Sequence, residues 1–156
     1  MSSRVLYVCT YWGVRSRIAE LLTTALEKPE LVVECAGFET GKIGKLPREI
    51  MAERGLDLSV VSPDSIFKFA RLHTEFDYVV TLCNEQTQEN YLVLYDVVDS
   101  LFSGHTKILH WNIPDFMSLT SEGEERKAEA RGIVSAIEKE VCRLVSRISV
   151  GEKISV

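Results

Sequence analysis

The chain reads as an α/β domain of three layers, a central four-stranded parallel sheet flanked by helices. Three observations predict this. Short β-branched and aromatic runs alternate along the chain with stretches whose apolar residues recur at helical spacing. The clearest run, Val5-Leu6-Tyr7-Val8, reads as a buried strand close to the N-terminus. Cys9, Cys83 and the 110–115 loop each follow a predicted strand end, where one rim of a parallel sheet collects ligands.

Taken in order, strands are expected over 4–9, 31–36, 77–82 and 106–110, and helices over 16–27, 46–54, 63–73, 86–102 and 121–148. The first helix follows from Ile18, Leu22, Ala25 and Leu26. The last is the most regular: Ile133, Ile137, Val141, Leu144 and Ile148 share a face with Glu and Arg opposite. Thr120 or Ser121 is placed to cap it, with Glu124 three residues beyond Ser121. Strands joined by helices imply right-handed crossovers, hence parallel pairing. One domain is expected over 1–148, followed by a frayed C-terminal tail over 149–156.

Composition narrows the function classes. With 156 residues, 46% apolar and 26% charged, the chain can bury a core without disulfides or metal. A net charge of −5 predicts no general attraction to nucleic acid or to a membrane surface, so affinity for an anionic substrate has to be local. No apolar run approaches membrane-spanning length and the N-terminus is not signal-like, so a cytoplasmic location is expected. Cys9, Cys35, Cys83 and Cys142 are widely spaced without zinc-type pairing, and no disulfide framework is expected. His73, His105 and His110 are not at metal-ligand spacing, so neither a metal nor a cofactor is implied.

Residues 9–16, Cys-Thr-Tyr-Trp-Gly-Val-Arg-Ser, carry the chemistry. A short loop between a strand and a helix N-terminus turns backbone N–H groups inward, where the helix dipole favours negative charge. Five residues between Cys9 and Arg15 suffice to curl around one tetrahedral anion. A cysteine in that field is favoured as thiolate. Arg15 can grip two oxygens with its planar fork, and Ser16 is positioned to cap the helix or donate to the sulfur.

Cys9-Thr10 through Arg15-Ser16 resembles the Cys-x5-Arg-Ser loop of the low-molecular-weight protein tyrosine phosphatases and of the thioredoxin-coupled arsenate reductases that share their flavodoxin-like fold. The resemblance extends over nearly the whole chain. Glu34-Cys35-Ala36-Gly37-Phe38 is similar to the second strand and its turn, and Arg54-Gly55-Leu56-Asp57-Leu58-Ser59 to a segment following the second helix. Phe76 to Cys83 is similar to the third strand of the reductases, and His110-Trp111-Asn112-Ile113-Pro114-Asp115 to the loop that delivers the general acid. The resemblance implies a phosphate monoester, phosphotyrosine above all, cradled by Thr10, Tyr11, Trp12, Gly13, Val14, Arg15 and Ser16. Cys9 then attacks to form a phosphocysteine, and Asp115 protonates the leaving oxygen before activating water. Partners would be a phosphorylated protein or a small phosphate or arsenate, with a thiol reductant in the arsenate case.

The departures generate the alternatives. Tyr11 and Trp12 stand where the phosphatases carry Gly-Asn, and Gly13 is available to supply the unusual backbone angle one residue later. Val14 replaces a frequent second cysteine, and Phe116 and Met117 follow Asp115. Tyr11, Trp12 and Phe116 form an aromatic rim, pack in the core, or block the pocket. An arsenate reductase needs a resolving thiol, for which Cys83 matches, and usually a third thiol seven residues on, where Asn90 stands. That leaves a two-cysteine or external-thiol version. A third class is a phosphate- or phosphoprotein-binding module without turnover. His110 is expected to be structural, and Lys42, Lys45 and Arg48 to form a solvated loop rather than a partner surface.

Overall fold

β1 (Ser3–Tyr11) lies at the centre of the sheet with β2 (Leu31–Glu39) on one side and β3 (Tyr78–Cys83) on the other, and β4 (Lys107–Asn112) closes the far edge. The computed structural model describes residues 2–39, 41–61, 63–72, 74–86, 91–102 and 104–149. All three pairings are parallel, so the order β2-β1-β3-β4 makes the chain reverse its direction of winding between β1 and β3. Ligands of open α/β sheets bind outside the carboxyl ends of the strands at such a point. Tyr11, Cys83 and Asn112 end the strands on that rim.

The sheet separates two apolar cores, because successive side chains of a strand point to opposite faces. Val5, Tyr7 and Cys9 join one core with Val80 and Leu82; Leu6 and Val8 join the other with Val79 and Cys83. The first core is covered by α1 (Val14–Thr24), α2 (Lys45–Glu53) and α5 (Gly123–Ser149), through Ile18, Met51, Ile137 and Val141. The second is covered by α3 (Ile66–Arg71) and α4 (Tyr91–Leu101), through Ile66, Leu94 and Val98. Each such buried aliphatic contributes roughly 1.5–3 kcal/mol. This is the predicted three-layer α/β architecture.

Several boundaries differ from the expected ones for local reasons. β1 continues past Cys9 because Tyr11 pairs with Glu39, and Trp12 N–H donates to the Glu39 carbonyl at 2.8 Å. α1 accordingly begins at Val14 rather than 16, with Gly13 as its N-cap. α3 is shorter than 63–73 because Ser65 caps it, its Oγ accepting from Phe67 N–H at 3.3 Å. Ahead of α4, Asn84 forms a turn with its Oδ1 accepting from Gln86 N–H at 2.9 Å. α5 starts at Gly123, and the expected cap is not made by Ser121, whose buried Oγ finds no partner among the described residues. Of the tail expected over 149–156, Ser149 still belongs to α5 and the remainder lies outside the described residues, as do His73 and Asn90. Among the described residues no helix is long and apolar enough to cross a membrane.

Candidate active site

The turn from β1 into α1 is only Trp12 and Gly13, and both adopt left-handed backbone angles, φ 53° and 68°. A glycine takes that conformation freely, whereas a tryptophan is held there at a cost of about 1–2 kcal/mol. The surroundings fix both residues. A Cβ on Gly13 would lie 2.1 Å from Pro63 Cγ, so the proline ring rests directly on the turn. Trp12 lays its ring on the backbone of Gly41, where a Cβ would lie 2.4 Å from Trp12 Cδ1. Pro63 reaches Gly13 because its strand-like segment runs beside β2, with Gly37 N–H donating to the Asp64 carbonyl at 3.0 Å. Gly13→Ala is therefore expected to lose roughly 2–4 kcal/mol of stability from left-handed strain plus overpacking. Denaturant unfolding of Gly13→Ala alone and combined with Pro63→Ala checks this, because the second change relieves only the collision.

Cys9 is fully buried. Its Sγ lies 3.4 Å from Ser16 Oγ and 3.8 Å from the Tyr11 carbonyl oxygen. Ser16 does not cap α1; it sits in the first turn, where its hydroxyl faces the carbonyls of Gly13 at 3.1 Å and Ala36 at 3.0 Å. One hydroxyl proton cannot serve three acceptors. With a thiol, Sγ–H donates to Ser16 and the hydroxyl donates to a carbonyl; with a thiolate, the hydroxyl turns to the sulfur. The first intrahelical bond of α1 is Arg17 N–H to the Gly13 carbonyl, so the amides ahead of it have no partner within the helix.

Arg15 is buried to 1% exposure and directed inward. Its Nη1 donates to the Ile113 carbonyl at 2.8 Å and its Nη2 to Thr10 Oγ1 at 3.0 Å. The guanidinium thus ties the turn to the segment that carries Asp115. That segment is anchored in turn by Ile113 N–H donating to the Cys83 carbonyl at 3.0 Å. Asp115 is itself buried, and its Oδ1 accepts from Met117 N–H at 3.3 Å, capping a short 3-10 turn over Phe116–Ser118. A turn-capping role and a chemical one are compatible, since a carboxyl group has two oxygens.

A cleft of about 170 Å³ opens here, lined by Trp12, Val14, Leu46, Pro47, Asp115 and Phe116 among others. Of the three aromatic residues, Trp12 and Phe116 line the cleft and also pack with the first core, where Phe116 is buried, whereas Tyr11 is not part of the lining. Cys9, fully buried, does not line the cleft either.

The structure does not bring Cys83 to Cys9. Both are fully buried, but they belong to the cores on opposite faces of the sheet. Cys35 shares the face of Cys9, and burial followed by the nearby Glu20 carboxylate pushes its pKa well above the usual thiol range. His110 is structural, as expected: its Nδ1 is 2.7 Å from Thr81 Oγ1, and its ring stacks on Tyr95 with centroids 3.7 Å apart. Burial holds its pKa below 6.5, against the opposing pull of Asp99 and Glu85. The unfolded chain then takes up the proton first, so this contribution is present above pH 6.5 and lost as pH falls through the lower folded value. Unfolding measured across that range should show stability falling with acidity, and His110→Gln should flatten the trend.

Among the described residues no group of three or more His, Cys, Asp or Glu side chains is arranged to hold a metal. Sequence reasoning missed Pro63, Gly41, the Ile113 carbonyl and Arg126, which also lines the cleft. Only tertiary packing brings them to the turn, and no local pattern marks them.

Residues 4–153 match the low molecular weight phosphotyrosine protein phosphatases, and the chain belongs to that family. Its fold is similar to that of an arsenate reductase from Archaeoglobus fulgidus, with 24% identity, 91% of this chain and 98% of that chain covered, and a TM-score of 0.66. It is similar also to the Erwinia amylovora tyrosine phosphatase amsI, at 18% identity, 94% and 93% coverage and a TM-score of 0.67. A low molecular weight protein tyrosine phosphatase from Bacillus subtilis aligns at 17% identity, 94% and 97% coverage and a TM-score of 0.67. No curated protein matches the chain.

Proposed function

We propose that this protein hydrolyses phosphate monoesters, phosphotyrosine above all, through a phosphocysteine on Cys9. The observation that carries this reading is the contact of Cys9 with Ser16 at the N-terminus of α1, with Arg15 linking the same turn to the Asp115 segment. In this reading the phosphoryl oxygens are bound by the first-turn amides of α1 and by Arg15, donors of the kind that stabilise the charge spread over a transferring phosphoryl group. The Cys9 thiolate attacks phosphorus, an S–P bond forms, and the P–O bond to the leaving group breaks. Asp115 delivers its proton to that oxygen. Its carboxylate then takes a proton from water, which attacks phosphorus and frees inorganic phosphate and the thiolate. Ser16 stabilises the thiolate in both steps by turning its hydroxyl from carbonyl to sulfur. Among the described residues no disulfide joins the cysteines, which suits action in a reducing compartment such as the cytoplasm.

A second reading, arsenate reduction, is motivated by the reductases among the structural relatives. An internal relay is disfavoured by the separation of Cys83 from Cys9 across the sheet and by the burial that keeps Cys35 protonated. What remains is resolution of a Cys9 adduct by an external thiol. One pair of assays separates the readings. Turnover of an aryl phosphate without added thiol supports hydrolysis, arsenate consumption that requires added thiol supports reduction, and phosphate binding with neither supports a binding module.

A further inference from the structure

The cleft beside Asp115 carries two cations that the hydrolytic scheme does not use. Lys45 reaches it from the first turn of α2 and Arg126 from the first turn of α5. Along α5, Lys127, Arg131 and Arg143 each pair with a carboxylate, at 3.9, 2.8 and 3.1 Å. Arg126 makes no ion pair among the described residues although its helix opens with Glu124 and Glu125. Lys45 has Glu49 at 3.5 Å, but the lysine is 82% exposed, and such a pair exchanges readily for another anion. The protein as a whole carries −5, so this concentration of positive charge is local and opposes the general field.

Besides the cations and Asp115, the cleft is lined by the apolar side chains of Val14, Leu46, Pro47 and Phe116. An apolar slot of this kind accepts an aromatic ring whose phosphate is held at the turn. We infer that Lys45 and Arg126 bind a carboxylate next to the phosphorylated side chain, so that the preferred substrate is a phosphotyrosyl segment flanked by acidic residues. The inference rests on the hydrolytic reading and adds the substrate class to it. An arginine fork and an exposed ammonium lining the same apolar cleft suit a carboxylate that remains partly hydrated.

The test compares kcat/KM for two synthetic phosphotyrosyl peptides, one flanked by glutamates and one by glutamines, with an aryl phosphate as a third substrate. The wild-type protein is expected to favour the glutamate peptide by about tenfold at low ionic strength, and added salt should shrink that ratio. Arg126→Gln and Lys45→Gln each should lower the ratio. The double charge reversal Lys45→Glu with Arg126→Glu should turn the preference toward a lysine-flanked peptide, a gain that misfolding cannot imitate. Equal rates on the two peptides with normal aryl phosphate turnover would overturn this inference and leave the hydrolytic reading standing. A preference that survives the charge reversal would overturn it as well. No turnover of any of the three substrates would overturn both.

Discussion

Cys9→Ser is expected to lower kcat for aryl phosphate hydrolysis by on the order of 10⁴-fold or more, while phosphate still binds. Loss of a nucleophile in a concerted site removes nearly all the chemistry, and the remaining donors and binding contacts leave only a small residual rate. Serine preserves the small side chain that this buried position between Ser16 Oγ and the Tyr11 carbonyl admits, so folding should be retained. Its hydroxyl is not ionised near neutral pH and is a far weaker nucleophile than a thiolate. Steady-state rates beside phosphate binding by calorimetry check the result. Intact turnover in the variant would remove Cys9 from the mechanism.

Asp115→Asn is expected to lower kcat by roughly 10²–10⁴-fold on substrates with poor leaving groups and far less on activated aryl phosphates. An asparagine can still accept the Met117 N–H bond that caps the 3-10 turn, so the backbone should hold its shape while the transferable proton is lost. The pH profile provides the second readout. Activity that needs a Cys9 thiolate and a protonated Asp115 rises and then falls with pH, a bell. The variant should lose the falling limb. A flat wild-type profile between about pH 5 and 8 would contradict both roles.

The architecture was legible because strand burial and helical periodicity are local signals. Val5 to Val8 and the Ile133–Ile148 stripe each state their element without help from the rest of the chain. The Cys9–Arg15–Ser16 pattern was legible for the same reason, since spacing across one turn is a property of contiguous sequence. What escaped is what the fold brings from afar. The extension of β1 to Tyr11 depends on pairing with Glu39, and the double left-handed turn depends on Pro63 and Gly41 filling the space around it. Cys83 fits the reductase pattern by sequence position, but strand alternation turns it to the face opposite Cys9. The inward course of Arg15 toward Ile113 bridges 98 residues, beyond the reach of any local pattern.

The most direct test is to trap the intermediate. The protein is mixed with an aryl phosphate, quenched in acid within a turnover, digested and read by mass spectrometry. The account predicts a phosphoryl group on the peptide containing Cys9, absent from Cys9→Ser and discharged when the reaction is allowed to finish. Turnover with no phosphoryl group on that cysteine at any time would contradict it.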